Sequence, residues 1–373
     1  MKDKLAEELL AKVLGWQPKD VAEERPVLQA MAALKYDAYE QFSPGLRFLE
    51  SLALWLNQFD REDRGVAYDF LRSSLVFCSA EEMDHLVETA YPDHVRPILL
   101  ARAAAEQGVN VRHVGRIAES VGFRTLQRQT LFLGLSDGAR IDTFRRANPE
   151  LNHEQIWQTH ELADDRVAEL LDKLKADAAK LGAPAAGAPK FRSIVLLDDF
   201  SASGSSYYAK KPDGTAGGKI AKFLGALADE KKVLHQLCDA NGIEVVILIY
   251  MATEQAVAHL RDALRDPIGG ATAVRVETVQ SVPARIRVRR TDQAVAFTNL
   301  VEKYYSDAVH QIVFDVHMRK GNTPDAKYGF ADCGLPVVLH HNTPNNSLAI
   351  LWYYENCPLR GLFPRVQRHR EMA

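Results

Sequence analysis

Membrane-length apolar runs, a cysteine framework and an excess of either charge are missing or scarce in this 373-residue sequence. The longest apolar runs, such as Val245–Ala252, fall far short of the ~20 residues that a bilayer span needs. The N-terminus carries acids where an export leader needs an apolar stretch, so a cytoplasmic location is expected. Four cysteines, Cys78, Cys238, Cys333 and Cys357, are too few and too widely spaced for a disulfide scaffold or a CxxC pair. Lys and Arg number 46 against 49 Asp and Glu, a net charge of −3. No global positive field exists to hold nucleic acid or an anionic membrane, and any such contact must be local. What is present, 47% apolar and 25% charged residues, suits a chain that folds on its own core, and the length favours two domains.

From Leu5 to about Ala118 the apolar residues recur at helical spacing, with Trp55, Phe59, Phe70 and Phe77 as large members. Ser43-Pro44-Gly45 separates two helices, and Ser79 with Glu82 has the spacing of a capping box. No strand pattern interrupts this stretch, and its histidines, His85, His94 and His113, stand singly. An all-α domain is expected over 1–125 and an α/β domain over 126–373. In the second, Thr130–Gly134 reads as a buried strand and Asn152 with Gln155 as the cap of a long helix. The linker 182–189, rich in small residues and proline, then leads to the strand Ser193–Leu197. A helix over Lys219–Asn241, a strand over Glu244–Tyr250, a helix over Glu254–Leu264 and a strand over Ala273–Val279 complete a doubly wound pattern.

Ligands of open α/β sheets bind beyond the carboxyl ends of the strands. There the sequence places Asp198-Asp199-Phe200, then Ser201, Ala202, Ser203, Gly204, Ser205 and Ser206. Amides and hydroxyls of a Ser/Gly turn form a concave anion site, while paired carboxylates accept ribose hydroxyls or lie near Mg²⁺. The stretch Ile194–Ser206 resembles the PRPP-binding motif of type I phosphoribosyltransferases, with Ser203 where that family usually has threonine. The resemblance implies a largely parallel sheet flanked by helices. It also implies that Asp198 and Asp199 hold the ribose hydroxyls near Mg²⁺, and that Ser203–Ser206 wrap the 5′-phosphate. Leu135, Ser136, Asp137 and Gly138 stand where the family has its pyrophosphate loop, with Arg140 to neutralise the leaving group. The basic insert 207–219, with Lys210, Lys211 and Lys219, reads either as a substitute lid near phosphate or as a surface loop.

A second reading of Gly134-Leu-Ser136-Asp-Gly138 is the G-x-S-x-G elbow of α/β-hydrolases, with Ser136 as nucleophile and Asp198 and His317 in suitable order. Beyond a strand over Val337–His340, Asn342, Asn345 and Asn346 either read a nucleobase edge or serve as turn residues. The segment from Asn342 to Trp352 looks like the C-terminal part of phosphoribosyltransferase-like proteins of bacterial conflict and antiphage systems, and Trp55–Met83 looks like their leading part. His340 and His341, adjacent on a strand, point apart and suit a structural role better than a shared metal. Arg285, Arg287, Arg289 and Arg290 alternate in an extended segment. With Arg360, Arg365, Arg368 and Arg370 they suit edge protection or phosphate contacts.

The expected activity is transfer of phosphoribosyl from PRPP, with Mg²⁺, to a nitrogenous acceptor. The competing class is a nucleotide sensor that engages a protein or nucleic-acid partner through its helical domain or arginines. Self-association is compatible with either.

Overall fold

The computed structural model of the chain describes residues 3–159, 167–182, 189–210, 213–239, 242–266, 271–292 and 296–366. The linker residues 183–188, Lys211, Asn241, Arg368 and Arg370 lie outside the described residues. Two compact units are present, one of residues 1–82 with 284–373 and one of residues 83–283. The border expected at 125/126 falls within the helix Val121–Arg128 of the second unit. The strands are β1 (Val76–Cys78), β2 (Thr130–Gly134), β3 (Ile156–Trp157), β4 (Ser193–Ser201), β5 (Ala209–Lys210), β6 (Ala216–Gly217), β7 (Ile243–Thr253), β8 (Ala271–Val282) and β9 (Val337–Leu339).

In the unit of residues 83–283, five strands form one parallel sheet in the order β3-β2-β4-β7-β8. Helices cover it, as expected from strands apolar on both faces. All eleven residues of β7 are buried, and Leu131, Leu133, Ile194, Leu196, Ile247 and Ile249 share one core with Ile220, Phe223 and Leu224 of the helix Lys219–Ala228. Burying each such side chain is worth about 1.5–3 kcal/mol. Counted along the chain, the sheet order is 2-1-3-4-5. Its topological switch point therefore lies between β2 and β4, the crevice where doubly wound sheets take ligands.

Here β4 runs four residues past the apolar Leu197, because β7 continues beside it: Asp198 pairs with Ile249 and Ser201 with Ala252. Asn152 caps a 3₁₀ turn (His153–Gln155) that opens the edge strand β3, not the long helix expected there. The reason is Gln155, whose buried amide donates to the carbonyls of Gln127 (2.8 Å) and Thr130 (2.7 Å) and ties the segment to β2. The helix expected over 219–241 ends at Ala228 and resumes over Val233–Leu237. Between the two, the Asp229 carboxylate accepts from the Lys231 amide (3.0 Å), a local turn that competes with helix.

The other unit begins with the helices Asp3–Leu14 and Pro18–Leu34, so the helical N-terminus is as expected. A short strand, β1, nevertheless interrupts the helical stretch and pairs in parallel with β9 in a sheet of two. Phe48, Trp55, Trp352 and Phe363 lie in this unit's core, and the Trp55 indole donates to the Ile350 carbonyl (3.0 Å). The Ser79/Glu82 capping box forms in both directions, at 2.9 and 3.2 Å. The arginines after 284 are not an extended ladder. Ala284–Ile286 is a 3₁₀ turn, Arg287 donates to the carbonyls of Asp332 and Cys333, and Arg290 grips Asp325 and Asp332. No helix among the described residues is long and apolar enough to cross a membrane.

Candidate functional site

Two carboxylates lead into the switch point from β4, and successive strand residues alternate in direction, so they meet different neighbours. Asp198 is fully buried. Its Oδ1 accepts from the Ser136 hydroxyl and from the Asp199 amide (3.2 Å), and its Oδ2 from the Tyr207 hydroxyl (2.6 Å) and the Lys219 ammonium (2.7 Å). Burial pushes the Asp198 carboxyl above the usual range and Asp199 adds to the rise, against Lys219 and the Ser136 hydroxyl. Burial also pushes Tyr207 well up, helped by both acids, so Tyr207 stays a proton donor.

Asp199 is half-buried, and its Oδ1 accepts from the Phe200 amide (2.8 Å). Gly138 lies directly on this carboxylate; a Cβ there would overlap all three of its heavy atoms. The absence of a side chain at 138 thus lets the loop after β2 close onto the acid of β4. That loop, a 3₁₀ turn over Asp137–Ala139, is held from below by the Tyr250 hydroxyl on the Ala139 carbonyl (2.7 Å). It ends at Arg140, a non-glycine residue in the left-handed region at φ 47°, a conformation that costs about 1–2 kcal/mol. The Leu135 amide is spent on the Leu197 carbonyl (2.9 Å), so of the amides expected over 135–138 it is the one committed to the sheet. Arg140 donates to Asp84 and is thereby held in an ion pair.

The turn after β4 is built as a hydroxyl-lined bend. Ser203 and Ser205 hydroxyls lie 2.8 Å apart, the Ala202 carbonyl accepts from Thr253, and Gly204 takes φ 77°. The Ser201 hydroxyl is buried with no hydrogen-bond partner among the described residues. Ser206 receives the Lys219 amide through its carbonyl (3.2 Å). The insert forms an antiparallel ladder of β5 and β6, with Lys210 exposed on it.

The residues Leu135–Gly138, Asp198, Asp199, Ser201–Ser206 and Lys219 thus converge at one sheet edge. Asn342, Asn345 and Asn346 belong to the other unit: Asn342 exchanges backbone bonds with Leu339 (3.0 and 3.3 Å), while Asn345 and Asn346 brace the loop 328–334, the Asn345 carbonyl accepting from the Phe330 amide (2.7 Å) and the Asn346 side-chain amide donating to the Phe330 carbonyl (3.3 Å). Tyr207, Tyr250 and Asp84 were not legible as site residues. The one available signal was Tyr207, a large aromatic directly after a run of small residues. Ser136 has extended backbone (φ −157°, ψ 174°) and its hydroxyl donates to a carboxylate, which is not the strained elbow of a hydrolase nucleophile. His340 and His341 rings meet edge to face at 4.9 Å, so they do not point apart, yet no group of three metal-ligating side chains occurs among the described residues. A cleft of about 500 Å³ beside β3 is lined by Arg145, Trp157 and Lys173 and contains none of the switch-point residues. Its Lys173 is already paired with Glu154 and Glu169.

No curated protein and no solved structure matches the chain. The model of one protein family, PRTase-CE, matches residues 52–365, and the chain belongs to that phosphoribosyltransferase-type family.

Proposed function

We propose that the unit of residues 83–283 binds PRPP at the β2/β4 switch point and transfers its phosphoribosyl group to a nitrogenous acceptor with loss of pyrophosphate. The observation that supports this reading is the close approach of Gly138 to Asp199, which brings the loop after β2 and the second acid of β4 to one point. Asp199 is the acid for the ribose hydroxyls, and the bend Ser203–Ser206 takes the 5′-phosphate through amides and hydroxyls. The loop Ser136–Gly138 faces the diphosphate, where donors aimed at developing charge lower the barrier. Asp199 offers a single accessible carboxylate while Asp198 is saturated with donors, a set that suits a Mg²⁺ arriving on the diphosphate better than one held by protein alone. When bound, Mg²⁺ supplies charge neutralisation at the leaving group.

A second reading, a nucleotide sensor without turnover, is favoured by Arg140, since the cation expected at the leaving group is engaged by Asp84. Calorimetry with PRPP and Mg²⁺ is expected to show binding by the wild type and a loss of about tenfold or more, about 1.4 kcal/mol, in Asp199→Asn. Equal binding by the two refutes the assignment. Pyrophosphate release with a mixture of bases and nucleotides then separates transfer from sensing. The setting as an effector in bacterial antiphage conflict rests on the likeness of the segments 342–352 and 55–83. Plaque counts on cells carrying wild type or Asp199→Asn test it, and equal counts reject it.

A further inference from the structure

The turn after β4 and the base of the β5–β6 ladder share one anchor. Tyr207 ends the turn, Lys219 begins the helix that follows the ladder, and both donate to the same oxygen of Asp198. Between them the backbone closes on itself: the amides of Lys219 and Ile220 donate to the carbonyls of Ser206 (3.2 Å) and Tyr207 (2.9 Å). Gly218, at φ 102°, sits against the Tyr207 carbonyl where any Cβ would collide. The Lys219 ammonium also lies 5.1 Å from the centre of the Tyr207 ring. On the other oxygen of Asp198 is Ser136, from the loop after β2. One buried carboxylate thus joins the loop after β2, the end of the bend and the start of the following helix, and each of its oxygens accepts from two donors.

We propose that Asp198 is a buried tie and not a sugar ligand, and that Tyr207 and Lys219 are positioning residues which, acting through it, set the 201–208 bend against the 135–140 loop. The functional part of this proposal rests on the donor-binding reading above. Its physical logic is that two loops must hold one ligand at two phosphoryl groups, and a misplacement of about 1 Å costs about a hundredfold in such a site. Hydroxyl donors alone leave the buried acid without a counter-charge, and the ammonium alone leaves it free to rotate; together they hold it in one orientation.

Hydrogen exchange on the unliganded full chain decides the tie, whatever the chain binds. Tyr207→Phe keeps the buried ring and removes the hydroxyl, and faster exchange is expected in 135–140 as well as in 201–208. A change confined to 201–208 overturns the proposal. If Tyr207→Phe does not fold, Ser136→Ala removes the tie from the opposite side, and the expected rise is then in 201–208; no rise there overturns the proposal equally. PRPP calorimetry with Mg²⁺ adds the functional arm. Tyr207→Phe and Lys219→Met are each expected to weaken binding about tenfold, and Lys219→Arg to recover most of the loss. In an Asp198→Asn background, Tyr207→Phe should add less than about a twofold effect, because the charged acceptor through which the Tyr207 hydroxyl acts is already gone, leaving it only the Phe200 carbonyl (3.1 Å). Fully additive losses reject action through Asp198. A wild type that fails to bind PRPP refutes the donor-binding reading, and the exchange result still decides the tie.

Discussion

Asp198 in one unit is buried and Asp325 in the other is half-buried, and both contact a cation, yet their acidities move in opposite directions. Asp325 receives two parallel bonds from Arg290, each 2.9 Å, and the Lys327 amide at 3.0 Å. Burial raises its pKa most among single causes, but the guanidinium and the amide together outweigh it, and the carboxyl is held below its usual range. Asp198 has one ammonium, two hydroxyls and a second carboxylate next in sequence, and there burial wins. The difference separates two settings of an aspartate. A forked guanidinium matched to a carboxylate more than offsets partial burial, whereas one ammonium does not offset full burial beside a like charge.

Arg290→Met leaves Asp325 and Asp332 without their shared cation, and a loss of about 2 kcal/mol in urea unfolding is expected, below the 3–5 kcal/mol of a fully buried pair because Arg290 is a third exposed. Gly138→Ala strikes the other acid. Its Cβ displaces the Asp199 carboxylate, so PRPP affinity should fall about tenfold while folding stability drops by about 1 kcal/mol. Binding that survives this substitution would show that the loop and the acid do not act together.

Acid titration sharpens the contrast further. Asp325, depressed in the native state, contributes stability above its unfolded value that is lost as pH falls through its lower native value. Asp198, raised, favours the native state below its unfolded value, and that contribution is lost as pH rises through the higher native one. Plots of unfolding free energy against pH for wild type minus Asp325→Asn and wild type minus Asp198→Asn should therefore slope in opposite senses, by about 1.4 kcal/mol for each unit of pKa difference. Parallel slopes would erase the distinction. The smallest effect is expected at Val316→Ser, a 69% exposed position in the Asp325 unit, with stability within about 0.5 kcal/mol of wild type.

Much of the α/β unit was readable because its strands are buried on both faces and so are almost wholly apolar: Thr130–Gly134, Ser193–Leu197 and Glu244–Tyr250 all lie inside observed strands. The edge strand β3 was not readable, since two residues carry no period and it is held by the Gln155 side chain. Val76–Cys78 was hidden for the same reason, as its partner β9 is more than 250 residues away. At the site, the motif located the acids and the hydroxyl turn, but not that one acid is sealed from solvent. Tyr207 and Lys219 stand nine and twenty-one residues beyond Asp198, and only the return of the chain after the ladder brings them to it.

The order of residues alone determined an α/β unit with two acids and a small-residue turn at a strand end, because apolar runs and short motifs act over a few residues. Which acid keeps contact with solvent and which is locked in the interior was decided by the fold. Burial and hydrogen-bond partners depend on segments far apart in the chain, and the desolvation that separates Asp198 from Asp199 arises only once the sheet, the loop after β2 and the helix at Lys219 have closed around them.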